Sequence, residues 1–334
     1  MKLRYLSSAA AVIAAVSASG AMAQTKTIAI DGSSTVFPIS EAIAEEFQKS
    51  TRGAVRVTVG ISGTGGGFKK FCRGETDISN GSRPILKEEL EACKQAGIEF
   101  FEIPLAFDAL TVAVSPRNSF VGECITVADL KKIWEPAAQG RVVSWRDVKQ
   151  GWPTQPIKLY GPGADSGTFD YFTEAVVGKA KASRGDFTAS EDDNVLVQGI
   201  ENDANSLGYV PFAYFAPHAD KMKALAVDWG KGQGCVKPSL EAVTAGTYNP
   251  LSRPLFIYVS KKSSETKPEV RQFVEFAMKN AVPLIEEVKY LPLPESAYRA
   301  SLTKFNEGKT GSVFGGVPEV GVSIDDLMKR EAKG

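Results

Sequence analysis

The regular alternation of short strand-like segments with amphipathic helical segments constrains the fold of this chain more than any other feature. Residues 55–59 (Val-Arg-Val-Thr-Val) alternate apolar and polar side chains, as a half-buried strand does. Residues 39–49 instead repeat apolar side chains every fourth position, as one face of a helix does. Helical patterns recur over residues 269–279 and 295–304. The alternation predicts an α/β fold in which helices are layered on a sheet.

The first 23 residues have the features of an export signal. Lys2 and Arg4 precede a short apolar run over residues 6–16, and residues 21–23 form an Ala-Met-Ala cleavage site. The apolar run is too short to span a bilayer, and no cysteine follows the cleavage site to carry a lipoprotein anchor. We therefore expect a periplasmic protein that is not inserted in the membrane and is not a lipoprotein.

The chain is too long for one compact core. Its 334 residues less the 23 of the signal leave 311, so two lobes are expected. Two apolar segments, residues 109–115 and 255–260, are interpreted as strands on which the chain leaves a first lobe and returns to it. The first lobe would comprise residues 24–108 and 255–334, and the second residues 109–254. A ligand cleft would lie between the lobes.

Charge and histidine content exclude several classes of function. The sequence has 39 basic and 39 acidic residues, and removal of Lys2 and Arg4 leaves 37 basic against 39 acidic. With no basic stripe, nucleic acid is not an expected partner. His218 is the one histidine of the chain, in a polar stretch typical of a solvated loop. A metal site with two histidines is excluded, and Ser-His-Asp catalysis has a single candidate histidine.

Four cysteines follow the signal: Cys72, Cys93, Cys124 and Cys235. An exported chain with an even number of cysteines favours disulfides, although four cysteines allow three connectivities. We predict a local Cys72–Cys93 bond and a long-range Cys124–Cys235 bond. Free buried thiols are the alternative. Zinc is disfavoured because the spacings fit no ligand pattern.

Three segments place glycines and hydroxyl side chains between a strand and a helix: residues 31–38, 60–67 and 161–168. Each would direct backbone N–H groups and hydroxyls of a helix N-terminus at one point. Such a point binds anions, through unpaired amides and the positive end of the helix dipole. Glycine and serine also form ordinary turns and N-caps, so one segment alone is weak evidence. The three together predict an anion site.

Two charged residues near the second segment refine the expected anion. The Arg83 guanidinium would pair with a tetrahedral oxyanion through two hydrogen bonds. Phosphate keeps a proton near neutral pH, since its second pKa is ~6 in phosphoryl groups, and Asp77 would accept that proton. Sulfate has no proton to donate, and an unpaired buried carboxylate costs roughly 3–5 kcal/mol. The alternatives are a turn-capping role for Asp77 and a surface salt bridge for Arg83.

Four of these motifs occur in an order that resembles a known protein family. Residues 32–38, 62–65, 76–84 and 165–168 together resemble the substrate-binding protein of the high-affinity phosphate ABC transporter. The resemblance covers essentially the whole mature chain. It implies a type II periplasmic-binding-protein fold, no catalysis, inorganic phosphate as ligand, and an ABC permease as the membrane partner of a monomeric receptor.

The resemblance also implies a set of phosphate contacts. They are hydroxyls of Ser34, Thr35, Ser62 and Thr64, amides of Val36 and Phe37, the carboxylate of Asp77, and amides and hydroxyls of Ser166, Gly167 and Thr168. Many relatives have an arginine just before the third motif, where this chain has Pro162 and Gly163. We infer that Arg83 supplies the guanidinium instead. Ser34 and Thr35 are ambiguous by one place and could exchange roles.

Other functions and roles remain open from the sequence. Another tetrahedral oxyanion, arsenate or sulfate, is the alternative ligand, and arsenate is the harder rival because it is also protonated. An exported phosphatase and a surface adhesin are the alternatives outside the receptor class. Trp134, Trp145 and Trp152 are expected to pack in the second lobe. Arg253 is expected at the hinge or on a lobe surface rather than at the ligand.

Overall fold

The computed structural model describes residues 26–333, so the predicted export signal lies outside the described residues. The strands are β1 Lys26–Gly32, β2 Val55–Ile61, β3 Ile78–Gly81, β4 Phe100–Val114, β5 Cys124–Thr126, β6 Lys158–Pro162, β7 Thr188–Ser190, β8 Ser206–Pro211, β9 Lys223–Ala224, β10 Ala226–Asp228, β11 Cys235–Val236, β12 Ser252–Ser260 and β13 Leu291–Pro292. The helices are α1 Phe37–Ser50, α2 Gly63–Phe71, α3 Lys87–Gln95, α4 Val127–Trp134, α5 Trp145–Val148, α6 Gly167–Val177, α7 Asp193–Asn202, α8 Phe212–Phe215, α9 Leu240–Thr244, α10 Lys261–Thr266, α11 Pro268–Glu287, α12 Glu295–Glu307 and α13 Ile324–Glu331.

One long strand, β4, connects the two parts of the main sheet. The strand order is β2-β1-β3-β12-β4-β8-β6-β7. Residues 100–109 of β4 pair with β12, and residues 110–114 pair with β8, both antiparallel. We call β2, β1, β3, β12 and the start of β4 the first half-sheet, and the end of β4 with β8, β6 and β7 the second half-sheet. A separate small sheet contains β11, β10 and β5.

Parallel pairing fixes where the turns meet. β1 pairs in parallel with β2 and with β3, and β6 pairs in parallel with β7 and β8. Because parallel strands end at the same edge of a sheet, the turns that follow β1, β2 and β3 come together. The turn that follows β6 belongs to the other half-sheet. The cross-over strands β4 and β12 lie between the two sets of turns.

The core is formed by the buried faces of the helices against both half-sheets. Every residue of β12 is buried, and so is nearly every residue of β4. Trp134 and Trp145 are fully buried, and Trp152 packs against the same cluster. The predicted packing role of these tryptophans is confirmed. Within residues 26–333, no helix combines the length and the apolar character that crossing a membrane requires.

Both predicted disulfides are present. Cys72–Cys93 connects the C-terminal end of α2 to α3, with a Cα–Cα distance of 4.3 Å. Cys124–Cys235 connects β5 to β11 of the small sheet, with a Cα–Cα distance of 5.9 Å. The alternative of free thiols is therefore wrong.

The two cross-over strands are longer than the sequence pattern predicted. β4 begins at Phe100 rather than near residue 109, and β12 begins at Ser252 rather than at residue 255. The segments that the pattern did not include, residues 100–108 and 252–254, each contain a proline and a charged residue that interrupt the apolar run. Asp108 and Arg253 lie directly opposite each other in the β4–β12 ladder. Their charges pair within the sheet, so the strands continue through them.

Candidate anion-binding site

The first turn connects β1 to α1. Gly32 has φ +138°, and a side chain there would overlap the backbone of Asn80, so glycine is required. Residues 33–35 are almost completely buried although each carries a hydroxyl. The turn holds its own shape through hydrogen bonds from the amide of Phe37 to the carbonyl of Ser33, 3.1 Å, and from the amide of Ser33 to the carbonyl of Asn80, 3.1 Å.

The second turn connects β2 to α2, which begins at Gly63. Glycines allow this helix to pack against the first turn, because a side chain on Gly67 would press against Gly32 and Ser79. Thr64 is fully buried in the first turn of α2. Its hydroxyl lies 3.1 Å from the hydroxyl of Ser82 and accepts from the Ser82 amide at 3.2 Å. Thr64 is thereby fixed beside the loop that follows β3.

The third turn connects β6 to α6 on the second half-sheet. Ser166 is the N-cap of α6, and its hydroxyl accepts from the amide of Thr168 at 3.1 Å. Gly167 lies so close to the opposite half-sheet that a methyl group there would overlap the hydroxyls of Thr64 and Ser82. The N-terminus of α6 therefore packs directly on the second turn.

The first and third turns also meet. The hydroxyls of Thr35 and Thr168 are 2.9 Å apart, and both residues are fully buried. The structure thus brings together five of the predicted contact residues from three separate turns. They are Thr35, Thr64, Ser166, Gly167 and Thr168.

Arg253 on β12 provides the positive charge of this cluster. It is completely buried, so the expected surface position is wrong. Its Nη2 donates to the hydroxyls of Thr168 at 2.9 Å and Thr35 at 3.3 Å, and its Nη1 donates to the carbonyl of Ser82 at 3.1 Å. The carboxylate of Asp108 balances the charge, with 2.9 Å from Nη2 to Oδ2. A guanidinium therefore contacts hydroxyls from both half-sheets.

The amino-acid sequence does contain a signal for this pair. Asp108 is an isolated carboxylate within the apolar stretch of residues 103–114, and Arg253 is an isolated cation at the start of the apolar stretch of residues 254–259. A single charged side chain in a buried strand requires a partner of opposite charge. Two buried strands that carry one charge each, of opposite sign, are therefore expected to pair. Pairing the two isolated charges would have identified Arg253 from the sequence alone.

Asp193, which the sequence patterns did not single out, is a second carboxylate at the cluster. It is the first residue of α7, is 2% exposed, and its Oδ2 has no hydrogen-bond partner among the described residues. Burial raises the pKa of Asp193 to about 7, while the hydroxyl of Ser34 and the charge of Arg253 act in the opposite direction. The hydroxyl of Tyr214 donates to the Ser34 carbonyl at 3.0 Å.

Asp77 does not face the cluster. Lys267 donates to both of its carboxylate oxygens, at 2.9 and 3.0 Å, and the amide of Ala29 donates to Oδ2 at 3.0 Å. Asp77 precedes β3, whereas the turns of the site follow the strands, so Asp77 lies toward the opposite end of the strand. Its predicted role as acceptor of a ligand proton is wrong. It holds β1 and the start of α11 together.

Arg83 is also not available to a ligand. Its two Nη atoms donate to the oxygens of Glu89, each at 2.8 Å, and its Nε donates to Asp170 at 2.7 Å. The carbonyl of Pro84 accepts a further bond from Nη1 at 3.1 Å. Two carboxylates and one carbonyl thus accept from four of the five N–H groups of the guanidinium. The inference that Arg83 provides the guanidinium of the anion site is wrong, and so is the surface salt bridge.

Three other predicted contacts have partners within the turns. The Ser62 hydroxyl donates to Asp31, which also pairs with Lys70 at 2.6 Å. The amide of Phe37 bonds to the Ser33 carbonyl, and that of Val36 lies 3.4 Å from the Ser33 hydroxyl. These groups stabilise the turns instead of pointing at a ligand.

The described residues contain no group of three or more histidine, cysteine, aspartate or glutamate side chains able to hold a metal ion. His218 lies in a short 3-10 helix and its Nδ1 is 2.5 Å from a carboxylate oxygen of Glu201. It is half-buried rather than fully solvated. The chemistry that this site offers is hydrogen bonding to an anion.

Comparisons with known proteins agree with this geometry. A family model described as a PBP superfamily domain matches residues 17–281. Protein SphX of Synechococcus elongatus is 52% identical over 311 residues, which cover 93% of this chain and 90% of that protein. Phosphate-binding protein PstS of Staphylococcus saprophyticus is 36% identical over 279 residues, 83% of each chain.

Two solved structures extend the comparison. One is described as a possible phosphate binding protein from Planctomyces limnophilus, with 47% identity, a TM-score of 0.63, and coverage of 85% of this chain and 99% of that one. The other, from Clostridium perfringens, is a putative phosphate ABC transporter substrate-binding protein with bound phosphate. Its 24% identity and TM-score of 0.67, over 80% of this chain and 100% of that one, support the fold alone. The type II periplasmic-binding-protein fold is confirmed. This chain belongs to the PBP superfamily, in the family of the SphX and PstS proteins.

Proposed function

We propose that this protein binds inorganic phosphate outside the cytoplasm and delivers it to the permease of an ABC transporter. The observation that carries the proposal is the buried guanidinium of Arg253, which donates to Thr35 and Thr168 on opposite half-sheets. A tetrahedral oxyanion would replace this hydroxyl-to-hydroxyl contact and bond to both sides at once. The relative PstS is named a phosphate-binding protein. The function is binding and transport, not catalysis.

We assign the phosphate contacts to polar groups that the hydrogen bonds within the turns leave available. We assign the hydroxyls of Thr35, Ser34 and Thr168 and the guanidinium of Arg253. Thr64, Ser166 and Gly167 complete the predicted set at the N-termini of α2 and α6, where the helix dipoles favour an anion. The hydrogen bonds of the first turn use the amides of Ser33, Val36 and Phe37. The amides of Ser34 and Thr35 are therefore the ones assigned to phosphate from that turn.

Asp193 takes over the role first predicted for Asp77. Its buried Oδ2 without a partner among the described residues is suited to accept the hydroxyl of a protonated anion. Sulfate would bring two charges and no proton, so an ionised Asp193 would reject it. Because burial raises the pKa of Asp193 to about 7, this rejection should be strongest above pH 7 and weaken below it. Arsenate, which is also protonated, is the alternative ligand that Asp193 would accept.

We further infer two lobes with the boundaries given by the sequence, residues 24–108 with 255–334 and residues 109–254, each built on one half-sheet. β4 and β12 would form the hinge. We infer that residues 1–23 direct export to the periplasm, that no lipid anchor is attached, and that the receptor acts as a monomer. Movement of the lobes on ligand contact would form the closed state that a permease recognises.

Calorimetric titration of the phosphate-stripped mature chain at pH 8 tests the proposal. We expect one phosphate per chain and no heat with sulfate. The Asp193→Asn variant should lose most of this discrimination, and lowering the pH to 6 should admit sulfate to the wild type while leaving the variant unchanged. Absence of phosphate binding would overturn the function. Phosphate binding with unchanged selectivity in the variant would overturn the role of Asp193 alone.

A further inference from the structure

A second buried arginine, Arg83, makes an ion-pair network outside the anion site. It follows β3 on the first half-sheet and is 3% exposed. Glu89, in the first turn of α3 of the same half-sheet, receives two of its hydrogen bonds. Asp170, in α6 of the second half-sheet, receives a third at 2.7 Å and is 1% exposed. The network therefore crosses between the half-sheets.

The position of Asp170 in α6 gives this contact a consequence for the site. Gly167 and Thr168 at the N-terminus of the same helix contact the anion cluster. Asp170 follows Thr168 by two residues, within the first turn and a half of α6. A rigid helix held at Asp170 is therefore also held at its N-terminus. Arg83 can position the phosphate-binding end of α6 without contacting phosphate.

We propose that Arg83 is a positioning residue whose ion pair with Asp170, the latch pair, holds α6 against the first half-sheet and favours the closed state independently of which anion is bound. The proposal rests on the proposed function, because it concerns the same site. It goes beyond that function by separating the groups that choose the ligand from the groups that hold the lobes together.

The two carboxylates of the network have unequal roles. Glu89 and Arg83 belong to the same half-sheet, so their two hydrogen bonds persist whichever position α6 takes. Asp170 has Arg83 as its close cation, and its Oδ1 has no partner among the described residues. When α6 moves away, Asp170 exchanges a buried ion pair for water while Arg83 keeps Glu89. Within this network, therefore, only the latch pair differs between the closed and open states.

This asymmetry gives a matched pair of variants. Asp170→Asn should weaken binding of phosphate and of arsenate by the same factor, ~10- to 100-fold, because breaking a buried ion pair is costly only in the closed state. Glu89→Gln removes a charge from the same arginine, but its bonds to Arg83 are present in both states. This change should therefore alter both dissociation constants by less than about threefold, while lowering the unfolding temperature. The phosphate-to-sulfate selectivity should be unchanged in both.

The experiment is calorimetric titration of the mature wild type and both variants with phosphate, arsenate and sulfate, with small-angle X-ray scattering at saturating phosphate. Near-wild-type affinity in Asp170→Asn, or a loss confined to one anion, would overturn the proposal. Absence of phosphate binding by the wild type would instead overturn the proposed function.

Thermal unfolding checks that each variant is folded. If Asp170→Asn has low stability, a double-mutant cycle with Arg83→Met provides a second test of the latch pair. If the two residues act as one latch, Arg83→Met/Asp170→Asn should bind phosphate no more weakly than the weaker single variant. Additive losses of affinity would show separate roles and overturn the latch. A purely structural role would lower the unfolding temperature of all variants and leave the affinities of the folded protein unchanged.

Discussion

Two Ser-Arg-Pro tripeptides, residues 82–84 and 252–254, place buried arginines in two different environments. Arg83 donates to two carboxylates, Glu89 and Asp170. Arg253 donates to one carboxylate, Asp108, and otherwise to a carbonyl and two hydroxyls. The first guanidinium is balanced entirely by the protein. The second has donors directed at neutral groups, which an anion can displace.

The carboxylates of the two clusters differ in the same way. In the Arg83 cluster both carboxylates contact the guanidinium directly. In the Arg253 cluster Asp108 pairs with the guanidinium. The second carboxylate, Asp193, makes no ion pair among the described residues, and its Oδ2, like Oδ1 of Asp170, has no hydrogen-bond partner there. A buried polar group without a partner is costly in a protein that has no use for it. The comparison indicates that a buried carboxylate without an ion-pair partner, rather than burial or charge alone, marks the group that is reserved for a ligand.

Replacement of Arg253 should have the largest effect. Arg253→Lys keeps a charge near Asp108 but cannot reach Thr35, Thr168 and the Ser82 carbonyl together. Loss of a buried charged hydrogen-bond set costs about 3–5 kcal/mol, so we expect phosphate affinity to fall at least ~100-fold. Titration calorimetry measures the loss, and Arg83→Lys is the matched control. A greater loss in the control would reverse the assignment of the two arginines.

Asp193 should make the stability of the ligand-free protein depend strongly on pH. Its pKa is about 7 in the folded chain and about 3.9 when unfolded. Between these values the folded state keeps a proton that the unfolded state releases, so the free energy of unfolding falls as pH rises, by up to about 1.4 kcal/mol per unit. Asp193→Asn should remove this decline, raising stability at pH 7.5 by roughly 3–4 kcal/mol relative to the wild type.

Urea unfolding of phosphate-free protein at pH 5 and 7.5 measures this change. Glu102, near the start of β4, also has its pKa raised to about 7 by desolvation, so part of the wild-type slope remains in Asp193→Asn. Glu102→Gln is the control, since it should flatten the slope without altering sulfate discrimination. Equal slopes in wild type and Asp193→Asn would indicate that Asp193 is charged and paired in the folded protein.

Gly167 tests the close approach of the half-sheets at the site. A methyl group there would overlap the hydroxyls of Thr64 and Ser82, so Gly167→Ala should force α6 back from the second turn. Strain of about 1–3 kcal/mol would weaken phosphate binding ~10- to 100-fold. Gly185→Ala, where the nearest atom is a side-chain oxygen 3.6 Å away, is the control. Equal affinities of the two variants would contradict the proposed closed geometry.

Much of the fold could be predicted from the sequence because its signals are local. Strand alternation, helical periodicity and the glycine-hydroxyl turns each depend on neighbours within about ten residues. The disulfides of Cys72 and Cys124 were predicted as one local and one long-range bond among three possible connectivities, and both are present. The ends of β4 and β12 were missed because Asp108 and Arg253 each interrupt an apolar pattern, and only their mutual pairing explains both.

The site was predicted in part for the same reason. Thr35 and Thr168 were found because each follows a strand and begins a helix, which a local pattern reveals. Asp77 was assigned wrongly because its partner Lys267 is 190 residues away and belongs to another element. Arg83 was chosen because it lies near the second turn in the sequence. The signal for Arg253 was its pairing with the isolated charge of Asp108, which belongs to another strand 145 residues away.

The exposed ion pair between Lys69 and Asp165 should have the smallest effect, although it also joins the two half-sheets. The N–O distance is 2.6 Å, but 63% of the Lys69 side chain and 46% of the Asp165 side chain are exposed. Solvent-exposed pairs contribute about 0–1 kcal/mol, so Lys69→Ala should weaken phosphate binding by less than about fivefold. Because roughly 0.5 M sodium chloride screens exposed charges more than buried ones, salt should abolish this difference and preserve the Asp170→Asn defect. A large loss of phosphate affinity in Lys69→Ala that persists in salt would contradict this prediction. It would mean that the exposed Lys69–Asp165 pair holds the half-sheets together as strongly as the buried Arg83–Asp170 pair.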